Sequence, residues 1–193
     1  HYIDLTGGTS TGRKVASLAG ERLIRTTMEL GGKTPIVVCE DADIKGAIAG
    51  TLFAAFVASG QTCVSGARFL IHDKLYDRFV EGIAARAEQI IIGDPMDETT
   101  QMGPVISQKS KDRCLRMIAQ AKADGAKMVA GARPLDLPDD FANGFYVRPT
   151  VFKDVEKHHE LFLEEVFGPV ISITRFNDDD EAMEMANMGA FGL

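Results

Sequence analysis

Residues 28–33 read MELGGK, and residues 60–68 read GQTCVSGAR. The first stretch places a carboxylate, Glu29, beside two glycines, and the second places a thiol, Cys63, in a loop of small and polar residues. A carboxylate and a thiol that meet in a folded protein can act as general base and nucleophile. A free cysteine is more often a small buried hydrophobic residue, so Cys63 considered alone allows either interpretation.

Together, ELGGK at residues 29–33 and GQ-x-C at residues 60–63 resemble the NAD(P)-dependent aldehyde dehydrogenase superfamily. A third motif at residues 165–169, EVFGP, is similar to the family's E-[IV]-F-G-P. The resemblance covers nearly the whole chain. It implies an α/β fold, in which a three-layer catalytic domain with a largely parallel sheet follows the last βα unit of a Rossmann-like cofactor domain.

The resemblance also implies where the two domains meet. Residues 1–32 are expected to form the tail of the NAD(P)-binding domain, and residues 33–193 a catalytic domain that stops before the family's oligomerisation segment. Because the sequence starts without methionine and in the middle of a pattern, we expect a fragment of a longer protein.

Hydrophobic periodicity and turn residues predict strands that alternate with helices, which is typical of an α/β fold. Strands are predicted at residues 2–5, 26–30, 34–39, 67–72, 127–130, 145–151 and 170–176. Helices are predicted at residues 13–25, from a cap at Asp41 or Asp43 to about residue 59, at 74–91, from a cap at Ser107 to residue 124, and at 179–187, with a helical turn at 160–164.

The turn between the first strand and the first helix is rich in small residues. Such turns present backbone N–H groups at a helix N-terminus, where phosphate binds favourably. The spacing of Gly7 and Gly12 departs from G-x-G-x-x-G, so the turn alone fits a plain βα connection equally well. By resemblance, Gly7, Gly8 and Gly12 lie near the cofactor pyrophosphate. Gly8 stands where the family often has a hydroxyl side chain.

The resemblance assigns Cys63 as the nucleophile and Glu29 as the general base. The Cys63 thiolate would add to the aldehyde carbon and form a thiohemiacetal, which is oxidised to a thioester. Glu29 would then activate the water that releases the carboxylic acid. Relatives that pass the acyl group to coenzyme A generally lack this glutamate, so its presence favours water as the acceptor.

The remaining site residues are also assigned by resemblance. Glu165 is expected to accept hydrogen bonds from the nicotinamide ribose, and Phe167 to lie against the nicotinamide end of NAD or NADP. Leu30 is placed at the cofactor site as well. Thr62 and Val64 flank the nucleophile and are expected to line the aldehyde pocket.

Composition excludes several other classes of protein. A net charge of −7 disfavours a nucleic-acid-binding surface. No apolar run reaches the roughly 18 residues that a membrane span needs. The cysteines Cys39, Cys63 and Cys114 show no CxxC spacing, which disfavours a disulfide framework and a zinc site and favours a reducing, cytoplasmic setting. The pair His158-His159 lacks a partner ligand at useful spacing, so no metal site is predicted.

The resemblance therefore implies oxidation of a small aldehyde to a carboxylic acid with NAD or NADP, in a full-length protein that forms a homo-oligomer. Two alternatives stay open. Cys63 and Glu29 could hydrolyse activated esters without any cofactor, as a thiol esterase does. The chain could also be a folded but inactive fragment. In the family, one of the two hydrogen-bond donors that stabilise the oxyanion of the reaction comes from a residue upstream of this chain. Neither the aldehyde nor the choice between NAD and NADP can be read from these residues.

Overall fold

The computed structural model describes residues 1–193 and contains seven strands and six α-helices. The strands are β1 (Tyr2–Thr6), β2 (Arg25–Glu29), β3 (Pro35–Val38), β4 (Arg68–His72), β5 (Lys127–Ala130), β6 (Thr150–Lys153) and β7 (Val170–Phe176). The helices are α1 (Thr9–Gly20), α2 (Ile44–Phe56), α3 (Asp73–Ala87), α4 (Gln108–Ala123), α5 (Glu160–Leu163) and α6 (Asp179–Ala186). Short 3-10 helices occupy Val57–Gly60 and Asp139–Phe141. None of the helices is long and apolar enough to cross a bilayer.

The larger sheet has five strands in the order β3-β4-β7-β6-β5. Every neighbouring pair is parallel except β5 and β6 at one edge, which are antiparallel. The central strands β4 and β7 are almost entirely buried, and their runs of apolar residues are typical of a parallel sheet covered on both faces. The predicted α/β class with a largely parallel sheet is confirmed.

Helices cover both faces of this sheet and give it three layers. Successive side chains of a strand point to opposite faces, and β4 follows this rule. Phe69 and Ile71 pack with Phe79 of α3 in one hydrophobic core, which also contains residues of α2. Leu70 packs with Met117 of α4 in a second core, which also contains residues of α5 and α6. The predicted three-layer arrangement is therefore confirmed.

A smaller sheet pairs β1 with β2 in parallel, and α1 connects the two strands. The prediction of a helix over residues 13–25 was wrong at both ends, since α1 covers Thr9–Gly20. The helix starts directly after its N-cap residue Gly8. It stops early because the chain must turn back to begin β2, and Leu23 closes that turn with a left-handed φ of 54°.

The prediction of a strand over residues 145–151 was largely wrong, because β6 covers only Thr150–Lys153. Pro149 has no N–H to give to a ladder, and the segment before it is fixed by side chains instead. Arg148 donates to the Pro134 carbonyl at 2.9 Å and 3.1 Å, and the Tyr146 hydroxyl donates to the Gly93 carbonyl at 3.1 Å. These residues are therefore held in place without sheet pairing.

Aspartate and serine side chains cap the two helices for which caps were predicted. Asp43 accepts hydrogen bonds from the N–H groups of Lys45 and Gly46 at the start of α2. Ser107 accepts from the N–H of Ser110 at the start of α4. Of the two residues proposed to cap α2, Asp43 is thus the one that does so.

We expect Asp43→Ala to lower the free energy of unfolding by about 1 kcal/mol, because two N–H groups at the start of α2 lose their acceptor. Asp41→Ala is the matched control, since Asp41 is exposed and is not the cap of α2. Urea unfolding followed by circular dichroism measures both. Equal losses in the two variants would contradict the assignment of the cap.

Candidate active site

One cleft of about 890 Å³ gathers most of the residues that the motifs single out. It lies where the N-terminus of α1 meets the loops that carry ELGGK, GQTC and EVFGP. The predicted site residues that line it are Gly7, Gly8, Leu30, Thr62, Cys63, Glu165 and Phe167. The predicted nucleophile thus shares a cavity with residues predicted to bind the pyrophosphate and the nicotinamide end of a dinucleotide.

Three predicted site residues do not line this cleft. Gly12 lies behind it, where an added Cβ would be 2.5 Å from the Leu30 side chain. Val64 is next to the nucleophile but is 65% exposed. Glu29 is exposed at the end of β2, and its backbone carbonyl accepts from the Gly7 N–H at 2.9 Å. Their predicted roles stay predictions.

The ELGGK and EVFGP motifs touch through Glu165 and two glycines. The Glu165 Oε1 accepts a hydrogen bond from the Gly32 N–H at 3.1 Å. A Cβ added to Gly31 would lie 2.6 Å from Glu165 Oε2. Neither glycine has a positive φ. Glycine is therefore required here for close approach.

The GQTC motif touches both of the other motifs through its backbone. A Cβ on Gly32 would lie 2.7 Å from the Cys63 carbonyl oxygen, which a real Cβ atom essentially never approaches so closely. A Cβ on Gly60 would lie 2.4 Å from the Gly168 carbonyl oxygen. The three motifs are thus packed backbone against backbone around Cys63.

A strained turn carries the chain from α2 into the cysteine loop. Ala58, Ser59 and Gly60 are all left-handed, with φ of 49°, 56° and 70°. Side chains hold the turn: the Ser59 hydroxyl donates to the Gly103 carbonyl at 2.9 Å. The Gln61 side chain accepts from the Ile106 N–H at 2.8 Å. Strain of this kind persists only where the surrounding structure over-determines it.

The three cysteines have different surroundings. Cys63 is half-buried and lines the cleft. Cys114 is fully buried on α4, and burial raises the pKa of its thiol to about 11. Cys39 was predicted inside a strand, but β3 ends at Val38 and leaves Cys39 exposed. Cys63 is therefore the one cysteine in the cleft, while Cys39 supplies an exposed thiol for comparison.

The cleft also contains residues that the sequence did not predict. Arg13 on α1 and Arg113 on α4 bring positive charge to it, and no side chain caps the first turn of α1. These features suit an anionic ligand. The other lining residues without a predicted role are Thr6, Thr9, Ser10, Gly31, Gln61, Glu164, Ala190 and Phe191. Arg13 follows Gly12 directly and could have been noted, whereas Arg113 is distant in sequence.

A buried arginine fixes the wall of the cleft formed by the last residues of the chain. Arg68 is 2% exposed, and its guanidinium donates to the carbonyls of Ala186 and Met188 at 3.0 Å and 2.9 Å. It also lies over the Phe162 ring at 4.7 Å. The segment that follows reaches the cleft with Phe191.

The histidine pair lies outside the cleft, next to a carboxylate. Ligand atoms of Glu156, His158 and His159 lie within 4.8 Å of one another, so a partner that the sequence spacing did not suggest is present. However, the Nδ1 of His159 accepts the Glu156 N–H at 3.2 Å, which leaves the proton of the neutral ring on Nε2. In this arrangement His159 serves as an acceptor for the backbone.

The family model described as "Aldehyde dehydrogenase family" matches residues 1–193, the whole of this chain. The chain belongs to the aldehyde dehydrogenase family. The resemblance based on the three motifs is therefore confirmed.

Relatives and solved structures agree with this membership. The chain is 44% identical to betaine aldehyde dehydrogenase of Brucella ovis over 191 residues, which are 99% of the chain and 39% of that relative. It superposes with a TM-score of 0.94 on Staphylococcus aureus betaine aldehyde dehydrogenase in complex with NAD+ (33% identity, 100% of this chain, 38% of that chain). With an aldehyde dehydrogenase from Bartonella henselae, the TM-score is 0.93 at 36% identity (100% of this chain, 40% of that chain).

Two conclusions follow from these comparisons. The predicted aldehyde-dehydrogenase-like fold is confirmed. The chain spans about two fifths of the length of these members of the aldehyde dehydrogenase family.

We expect Gly60→Ala to disrupt the cysteine loop of this family member. The new Cβ would collide with the Gly168 carbonyl and sit at a left-handed φ, so the free energy of unfolding should fall by about 2–4 kcal/mol. The matched control is Gly50→Ala on α2, where an added Cβ meets no atom within 4 Å. The free energy of unfolding and the alkylation rate of Cys63 are measured for both variants. An unchanged Cys63 rate and stability in Gly60→Ala would contradict this account.

Proposed function

We propose that the protein containing this chain oxidises an aldehyde to a carboxylic acid with NAD(P)+, through a thioester on Cys63. The observation that carries the proposal is the shared cleft, in which Cys63 lies with an uncapped helix N-terminus and with Glu165 and Phe167. Family membership supports it. So do the relatives named betaine aldehyde dehydrogenase and the S. aureus structure with NAD+.

The donors in the cleft fit the chemistry of a nicotinamide dinucleotide. The N-terminus of α1, with Gly7 and Gly8, and the Arg13 side chain would hold the phosphates. The Glu165 carboxylate would accept from ribose hydroxyls, and Phe167 would lie against the flat nicotinamide ring. When bound, NAD(P)+ supplies the acceptor for the two electrons that leave the substrate carbon. NAD and NADP are both retained as candidates.

The chemistry at Cys63 consists of addition and hydrolysis. The thiolate donates an electron pair to the aldehyde carbon, a C–S bond forms, and the carbonyl oxygen becomes an alkoxide. The Cys63 N–H is the donor in this chain assigned to that oxygen. After oxidation, Glu29 takes a proton from a water that attacks the thioester, and the C–S bond breaks to release the acid and the thiolate. To do so, Glu29 must turn from its exposed position toward the cleft.

Betaine aldehyde is the first substrate to test, since it is the substrate in the names of the relatives. Its aldehyde is attached to a quaternary ammonium group. Such a cation is attracted by an aromatic face, and Phe191 and Glu164 supply an aromatic ring and a negative charge in the cleft.

The remaining expectations concern the whole protein. We propose that residues 1–32 belong to the NAD(P)-binding domain and residues 33–193 to the catalytic domain; the change of sheet between β2 and β3 supports this boundary. We also propose a cytoplasmic homo-oligomer. Phe53 on α2 and Val57 after it are 73% and 40% exposed, and contiguous exposed apolar side chains often mark protein contacts.

We expect Cys63→Ser to lower kcat for NAD(P)+-dependent aldehyde oxidation by at least about 1,000-fold, because a serine hydroxyl at neutral pH is a far weaker nucleophile. Cys39→Ser is the matched control, since Cys39 is exposed and lies outside the cleft. Reduced-cofactor absorbance measures the rate. Normal turnover by a folded Cys63→Ser protein would refute the role of Cys63, and ester hydrolysis without any aldehyde oxidation in the wild type would favour the thiol esterase.

We expect Glu29→Gln to slow thioester hydrolysis by about 100-fold, because an amide cannot take the proton of the attacking water. Acylation should still occur, so stopped-flow absorbance should record a burst of reduced cofactor followed by a slow steady state. Glu21→Gln is the control, an exposed carboxylate in the turn before β2. If Glu29→Gln lost both the burst of reduced cofactor and the steady-state rate, Glu29 would act in the acylation step instead.

A further inference from the structure

The last residue of ELGGK, Lys33, is a buried ammonium group for which the mechanism above has no use. Its side chain is 2% exposed, and its Nζ has no hydrogen-bond partner. Lysine is almost never fully buried unless it is paired. A buried residue that destabilises the fold and lies next to a cleft is expected to serve a function.

The carboxylate that influences Lys33 most is Glu165. Burial is the largest cause of the lowered pKa of Lys33, which falls to about 7, and the positive charge of Arg68 lowers it further. The charges of Glu165 and then of Glu164 act in the opposite direction and raise it. Arg68 is committed to the carbonyls of Ala186 and Met188, whereas the Lys33 Nζ has no hydrogen-bond partner of its own.

Glu165 is held directly against the backbone that leads to Lys33. Its Oε1 accepts the Gly32 N–H, and its Oε2 occupies the space where a Gly31 side chain would be. The same carboxylate lines the cleft. A positive charge one residue beyond Gly32 therefore favours the attachment of the Glu165 carboxylate to this backbone.

We propose that Lys33 is a positioning residue that keeps the Glu165 carboxylate oriented to accept hydrogen bonds from the vicinal hydroxyls of the cofactor ribose. The inference rests on the proposed function, which assigns those hydroxyls to Glu165. Lys33 itself is buried and does not line the cleft, so it acts through Glu165. Its effect is on cofactor binding and not on the reacting carbon.

The test is Lys33→Met in the whole protein, which keeps the shape of the side chain and removes its charge. Isothermal titration should give a dissociation constant for NAD+ or NADP+ that is about tenfold higher, the loss expected for a weakened charge-assisted contact. KM for the cofactor should rise in parallel, with kcat changed less than about threefold. Lys122→Met, at the exposed end of α4, is the control for loss of charge alone.

A double-mutant cycle separates action through Glu165 from other causes. In a Glu165→Gln background, Lys33→Met should have little further effect on the dissociation constant. An equal tenfold loss in that background would overturn the proposal, and so would unchanged binding by Lys33→Met. Wild-type protein that binds neither NAD+ nor NADP+ would instead refute the proposed function, and this inference with it.

The melting temperature separates this role from a purely structural one, because removal of a lysine that supports the fold would lower it. The pKa of Lys33 is lower in the folded protein than in the unfolded chain, so the folded state binds fewer protons between about pH 7 and pH 10.5. The destabilisation caused by the buried Lys33 charge therefore becomes smaller as pH rises through that window. Lys33→Met should therefore raise the melting temperature at pH 7 and raise it less at pH 10. A lower melting temperature at pH 7 would show that Lys33 supports the fold and would overturn the proposal.

Wild-type protein alone keeps the proposal testable if Lys33→Met does not fold. As pH rises from 6 to 9, Lys33 loses its proton and Glu165 loses its counter-charge, so cofactor affinity should weaken with a midpoint near neutrality. The charges that act on the pKa of Lys33 are those of Arg68, Glu165 and Glu164, and no histidine lines the cleft. A dissociation constant that is flat across this range would overturn the proposal.

Discussion

The site depends on backbone segments that approach each other too closely for any side chain to intervene. Gly31 lies against Glu165, Gly32 against the Cys63 carbonyl, and Gly60 against the Gly168 carbonyl. Because close-packed interiors transmit small displacements, a shift at any one of these contacts would also move the segments packed around Cys63. The glycines of three separate motifs thus act as one constraint, although no two of the motifs are neighbours in sequence.

This constraint has a cost that the two hydrophobic cores offset. Ala58 and Ser59 adopt left-handed conformations that side chains rarely occupy, and Lys33 is buried without a partner. The central strands β4 and β7 bury apolar residues on both faces, and such burial is the dominant favourable term in folding. Strain and unpaired charge are found beside Cys63, where function explains them better than stability does.

Local signals in the sequence predicted the helices and strands well where one hydrophobic periodicity or one capping residue determines the element. The alternation of strands and helices, the Ser107 cap and the bounds of β7 all agree with the structure. Prediction failed at residues 145–149, where tertiary hydrogen bonds from Tyr146 and Arg148 replace the ladder. Arg113 and Phe191 line the cleft but were not predicted to do so, because no local sequence pattern indicates which distant segment will face a cysteine.

The position of Glu29 shows why a motif cannot place all of its own residues. Glu29 ends β2 in the smaller sheet, whereas Lys33 precedes β3 in the larger sheet, and Gly31 and Gly32 are the link between them. Cys63 and Glu165 are fixed to that link by direct contacts, whereas Glu29 is exposed and does not line the cleft. The separation of Glu29 and Cys63 therefore depends on how the two sheets meet, a long-range property that five consecutive residues cannot encode.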